Sequence, residues 1–142
     1  MNSLTLSPQE TRDAINRLEA AIAAQPEARS DFEAHITHHF GDGTYAREMR
    51  MPKDMLVVGK IHRMAEICVL SKGIIMVHAE GEETAKVYQA PYTFVASPGK
   101  KAVYVLENAV FMNIHPNPTN TRDLAELEEL LIAPDYQALE VQ

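Results

Sequence analysis

Between Tyr45 and His115 the chain is a series of short runs rich in β-branched and aromatic residues, separated by "PKD", "SKG", "EGEE", "SPGK" and "EN". Gaps this short decide the topology. A parallel connection needs a crossover of about a dozen residues or more, whereas a hairpin closes in two to five. The strands predicted over 44–51, 55–62, 66–71, 74–79, 85–90, 92–96, 102–107 and 109–115 must therefore run antiparallel. The fold class expected is mainly β, a small antiparallel barrel or double-sheet jelly roll.

The flanks follow a different period. In "SPQE", Ser7 is placed to cap a helix, Pro8 suits its first turn, and Glu10 stands where the reciprocal arm of a capping box belongs. Ile15, Leu18 and Ile22 then recur at helical spacing with Ala14 and Ala21 beside them, while Asp13 and Arg17 pair on the outer face. This predicts an amphipathic helix to about Ala24, broken by Pro26. Residues 27–40 read two ways: Phe32, Ile36 and Phe40 fit one helical face, yet the segment ends in the turn-like "GDG" at 41–43. After "HPNPTN" the helical period returns in Leu124, Leu127 and Leu131, with Asp123 and Glu126 in the first turn and Pro134 as the stop. The organisation expected is one domain over 1–142: an N-terminal helical arm (1–40), a barrel (41–116), and a C-terminal helix and tail (117–142). That last helix is expected to pack on the barrel or on a second subunit.

Composition narrows the partners. The 142 residues are 46% hydrophobic and 23% charged, the balance of a packed soluble domain. The net charge is -7 and the longest basic run is Lys100-Lys101, which argues against phosphate-backbone binding; nucleic acid is not expected. The single cysteine, Cys68, excludes an internal disulfide and fits a reducing compartment, as a small buried hydrophobe. "MNSLTLSPQE" lacks the positive start and apolar core of a secretory signal, and no apolar run approaches a membrane span, so no membrane association is expected.

The stretch "KIHRMAEICVLSKG" carries the chemistry. Lys60, His62, Glu66 and Gly73 stand at the four places of the first motif of the cupin superfamily, small jelly-roll barrels in which two histidines, a glutamate and a glycine recur at this spacing. The chain resembles that family at His62, Glu66 and Gly73, and departs from it where lysine replaces the first histidine. In "SPGKKA", Pro98 and Gly99 match the turn of the second motif, and Ala102 takes the place of its histidine. Across roughly residues 41–132 the blocks "YARE", "GKIH", "LSKG", "APYTF", "PG" and "IHP" are similar to small cupin-like proteins of tailed phages and prophages. In those relatives a glutamate-histidine pair follows the "GKIH" block and a further histidine precedes the last strand; here Ala65-Glu66 and Leu106 stand there.

The resemblance implies a homodimer in the host bacterial cytoplasm or associated with the virion. It also implies a barrel with an eroded metal centre, acting on a host or phage protein partner or a small molecule. The rival implication is a metal-dependent enzyme of the oxygenase, isomerase or lyase class. There His62, Glu66 and His115 would hold Fe, Mn, Ni or Zn as a facial triad with open positions.

Geometry sets the condition for either. Four residues of straight strand span about 13 Å at roughly 3.3 Å each, too far for His62 and Glu66 to meet, so the chain must bend at "RMAE". Beyond the bend Glu66, Cys68 and Leu70 share one face; Gly73 suits the left-handed position of a hairpin loop, with Ile74, Met76 and His78 on one side of the next strand. Lys60 opposes a metal: an ammonium about 4 Å from a divalent ion costs on the order of 8 kcal/mol at an effective dielectric near 20, unless its head turns away. The metal-free alternative pairs Lys60 or Arg63 with Glu66. Lesser candidates are His35, His38 and His39, zinc ligands only if 27–40 is helical, His78 as a spare ligand, and Tyr88, Tyr92 and Tyr104 as pocket walls.

Overall fold

The computed structural model describes residues 8–23 and 32–135. Helix α1 is Pro8–Ala23, and a 3-10 turn over Phe32–His35 leads into strand β1, Ile36–Gly41. Then come β2 (Thr44–Met51), β3 (Leu56–Val58), β4 (Ile61–His62), β5 (Glu66–Ala79), β6 (Lys86–Gln89), β7 (Tyr92–Ala96) and β8 (Lys101–Pro116). Helix α2 (Leu124–Leu131) and the short β9 (Ile132–Ala133) close the described chain. The strand pairings are antiparallel, so the mainly-β class flanked by two helices is as the gap lengths required. Ser7 and Pro26, the expected cap and breaker of α1, lie outside the described residues.

Two long strands organise the molecule. β5 and β8 pair from Ile67 opposite Ile114 to Ala79 opposite Lys101. The first part of β5 carries β7 on its free edge and the later part carries β6. On β8, the early part carries β3 and the late part carries β2, which in turn holds β1. One sheet is thus folded across its middle into two facing walls, β1-β2-β8-β5-β7 and β3-β8-β5-β6. Met49, Met51, Cys68, Leu70, Ile75, Val77, Val105 and Phe111 fill the space between them.

The fold line corrects one expectation. "SKG" is not a hairpin and "EN" is not a gap; both run on as strand, with the register slipping between Leu70 and Ile75. Gly73 does take a positive φ of 89°, as the residue of a bulge. A Cβ there would collide with the Asn108 carbonyl oxygen and sit 2.7 Å from the Ala109 Cα, so β5 and β8 approach too closely at this point for any side chain. The slip also explains the core. Leu70 and Ile75 are an odd number of positions apart yet both buried, which an unbroken period of two forbids and a bulge permits.

The segment 27–40 also resolves. Ile36–Gly41 pairs with β2 from Ile36 opposite Met49 to Gly41 opposite Thr44, so the sheet begins inside the stretch expected to be a helical arm. Residues 27–31 lie outside the described residues. Ile36 and Phe40 are four apart, which puts them on one side of a helix and one side of a strand alike; the turn at 42–43 decides it. The helical zinc arrangement of His35, His38 and His39 therefore does not form. His38 reaches the Tyr45 hydroxyl at 2.6 Å, while exposed His39 faces Glu48.

On the opposite side α1 lies against the second wall. Ile15 is buried there, Arg12 pairs with Glu80 at 2.8 Å, and the Lys100 ammonium donates to Glu19 at 2.6 Å and to Asn16 at 3.1 Å. α2, capped by the Asp123 carboxylate on the Ala125 N–H, packs Leu127 and Leu131 against Tyr45 at the other end of the barrel.

Candidate metal centre

The chain bends where the spacing of His62 and Glu66 demanded. β4 ends at His62, Arg63 and Met64 turn the chain, and Glu66 opens β5. The corner is held on three sides. The Arg63 N–H donates to the Leu131 carbonyl and its Nε to the Ile132 carbonyl; Ile61 and His62 pair with Ala133 and Ile132; and His62 and Gly99 exchange backbone hydrogen bonds of 2.9 and 3.1 Å. Gly99, of the expected Pro98-Gly99 turn, has φ 115°.

Three donors meet inside. Glu66 Oε2 lies 3.4 Å from His62 Nδ1 and 3.3 Å from His115 Nδ1, the latter from the far end of β8. One donor atom from each of the three residues falls within 4.8 Å of the other two. The two imidazoles stack at 5.6 Å with an interplanar angle of 6°. Glu66 is only 5% exposed, and Oε2 has no hydrogen-bond partner.

The architecture has solved counterparts. A protein from Neisseria meningitidis superposes with a TM-score of 0.51 at 10% identity, covering 70% of this chain and 95% of its own. A cupin-like protein from Thermotoga maritima superposes with a TM-score of 0.50 at 11% identity, covering 59% of this chain and 68% of its own. The chain has a cupin fold. No protein-family model matches it, and no curated protein is similar enough to count as a relative.

In this cupin barrel the electrostatics favour uncharged side chains at the triad. Burial lowers His62 to about 3, helped by Lys101, His115 and Arg47; burial, then Arg47, lowers His115 to about 4. Burial raises Glu66 to about 7 against the opposing pull of Lys101 and Arg47. Cys68, next inward on β5, is pushed up to about 12, mainly by burial, and accepts the Asn113 amide at 3.2 Å. It is the small buried residue expected, with a polar partner added.

Lys60 does not oppose the site. Its ammonium pairs with Glu128 on α2 and is 67% exposed, and Arg63 is engaged with the Ile132 carbonyl, so neither pairs with Glu66. The cations that face the triad are Arg47 and Lys101, neither of which was singled out in the sequence. Period-two reading of Tyr45, Arg47, Met49 and Met51 offers a signal for the first, since three of the four are core residues. Lys101 lines the same inner cavity as Glu66, its ammonium donating to the Ser97 carbonyl at 2.7 Å, while Ala102, at the place of the family's histidine, is buried on the α1 side of the wall. His78 lies on that side too, remote from the triad. Tyr88 and Tyr92 stack with each other and with Phe94, which stacks in turn with Phe111, and Tyr104 donates to Asp54, so none of the three lines the centre.

The centre opens outward. A cleft of about 290 Å³ between α2 and the barrel mouth has His62 and His115 as its floor and Leu124, Leu127 and Leu131 along one side. Among the described residues no helix is long and apolar enough to cross a membrane.

Proposed function

We propose that this cupin-fold protein binds one divalent ion of iron, manganese, nickel or zinc through His62, Glu66 and His115, leaving positions open toward the cleft for a small-molecule substrate. The observation that carries this is the buried Glu66 Oε2, hydrogen-bonded to nothing and flanked by two imidazole nitrogens at 3.3 and 3.4 Å. A buried carboxylate oxygen without a partner is costly, and two nitrogens beside it form the donor set of a two-histidine, one-carboxylate site. When bound, the ion would supply Lewis acidity to whatever occupies the open positions.

The chain's own residues prepare for this. Both imidazoles are neutral at pH 7, so their lone pairs are available without loss of a proton, and only Glu66 has one to shed. Glu128 holds the Lys60 ammonium away, which meets the condition that its charge would otherwise break. The stacked rings fix the direction of the two nitrogens, and burial excludes bulk water from one side.

Metal content of untagged protein tests the reading. Wild type is expected to carry close to one equivalent of ion, and His62→Ala and Glu66→Gln to lose it while remaining folded. Protein without metal, whose melting temperature ignores added Mn, Fe, Ni or Zn, would defeat it. A second reading has its own support: Lys101 and Arg47 partly neutralise Glu66 without an ion. In that case the centre is an eroded one of the phage type, and the barrel works by binding a small molecule or a protein partner.

A further inference from the structure

We infer that the protein has a second ligand site, an apolar cavity between α1 and the outer face of the second wall, and that it takes a small neutral phenol hydrogen-bonded to His78. The site lies across that wall from the candidate metal centre, and nothing in it depends on a bound ion. Its origin is in the strand period. Met76 and His78 on β5, and Ala102 and Tyr104 on β8, alternate with Val77, Val103 and Val105 of the core, so they face outward, where an antiparallel strand ordinarily carries polar residues. α1 covers them, burying Ile15. Alanine on both sides, Ala14 from the helix and Ala102 from the strand, leaves a cavity of about 220 Å³ between the two layers.

Polarity selects the occupant. Among the described residues no Asp, Glu, Lys or Arg lines the cavity, and the Tyr104 hydroxyl is turned to Asp54 at 2.7 Å. The exception is His78, whose Nε2 is shielded from solvent and hydrogen-bonded to no described group. A shielded nitrogen without a partner is costly. One water would answer it poorly, since buried waters make about three hydrogen bonds and the side chains here offer one partner. A hydroxyl on an apolar body suits it in either imidazole tautomer, because it both donates and accepts. A charged ligand would surrender its hydration with no counter-charge on the walls.

Size and surface choose the body. A cavity of about 150 Å³ accommodates benzene, so about 220 Å³ suits one ring with a further substituent. The Tyr104 ring and the Met76 thioether, cross-strand partners on the sheet side of the cavity, favour an aromatic ring over a saturated chain.

p-Cresol and its isostere p-xylene, in which a methyl group replaces the hydroxyl, are suitable probes, titrated calorimetrically into wild type, His78→Leu and Ala14→Met. Wild type should bind p-cresol about fivefold or more tighter than p-xylene, the difference of one buried hydrogen bond. His78→Leu should abolish that preference while still binding p-xylene. Ala14→Met, which fills the space, should weaken both probes about tenfold or more. p-Cresol should also move the His78 imidazole signals in NMR spectra and leave those of His62 and His115 in place.

Binding of neither probe would mean a cavity that holds water only, and would overturn the inference. So would equal affinity of the two probes for wild type, a preference that survives His78→Leu, or movement of the His62 and His115 signals instead of those of His78, which would put the ligand in the cleft. Where a variant fails to keep the wild-type melting temperature, the affinity ratio and the NMR shifts of wild type decide alone. Metal content enters none of these readings, so the metal proposal and this one fail separately.

Discussion

Glu66 must be ionised to hold a metal, and its surroundings resist ionisation. Its pKa of about 7 against 4.5 unfolded means the metal-free fold keeps a proton that the unfolded chain has released, so this group removes stability as pH rises through that window. His62 and His115, at about 3 and 4 against 6.5, act oppositely: the unfolded imidazoles gain protons below 6.5 and the folded ones do not, so stability falls on acidification. From 6.5 down to 4.5 the unfolded chain binds two more protons at the imidazoles and the folded one binds one more at Glu66. The net is one proton, roughly 1.4 kcal/mol lost per pH unit of acidification.

Metal-free Glu66→Gln should therefore exceed wild type in stability by roughly 1–3 kcal/mol at pH 8, with an acid slope about twice as steep. Urea titrations at pH 5, 6 and 8 measure both. Metal affinity should rise about tenfold per pH unit up to about 7 and flatten above, as Glu66 alone loses its proton. Competition against a chelating dye from pH 5.5 to 8.5 reads this directly. At the same scale, the meeting of His62 and Glu66 was legible from spacing because the two need only a corner to reach one another, whereas His115 entered with the family resemblance. Lys101 was not legible. Whether Lys101 or Ala102 faces inward depends on how the chain crosses Gly99, and two lysines after a turn look like ordinary solvated charge.

Among elements, β5 and β8 carry the structure, and at Gly73 the two paired strands leave no room for a side chain. Gly73→Ala must force a β-carbon into the Asn108 and Ala109 backbone at a positive φ, where neither neighbour can yield. Gly81, with φ 84° and open space around it, isolates the conformational part of the cost. Gly73→Ala is expected to lose roughly 3 kcal/mol or more and Gly81→Ala about 1, by denaturant unfolding. Equal losses would mean the close approach contributes nothing. The same glycine shows why strand limits were only partly legible. A positive-φ glycine between two apolar runs suits a hairpin and a bulge equally, and only the pairing of β5 with β8 on both sides of it chooses. β2 and β7, bounded by clear turn signals, were located from sequence alone.

At the scale of the molecule, α1 and the candidate metal centre share a support. The turn that ends in Lys100 and Lys101 bridges to His62 through Gly99 and to α1 through Lys100, which is 7% exposed and donates to both Glu19 and Asn16. Lys100→Met should cost about 1–3 kcal/mol and speed hydrogen exchange in α1 by tenfold or more, leaving the amides of β5 and β8 protected. Uniform acceleration throughout would instead mark the helix as part of the cooperative core.

The pairing of β4 with β9 reaches further than its two residues indicate. It ties the backbone beside His62 to a segment some seventy positions later in the chain, so the register of that imidazole is written partly in the length of α2. Inserting or deleting a single residue within that helix would rotate Ile132 and Ala133 out of phase. The lesion would be felt not where it was made but as a misdirected ring nitrogen at the floor of the cleft.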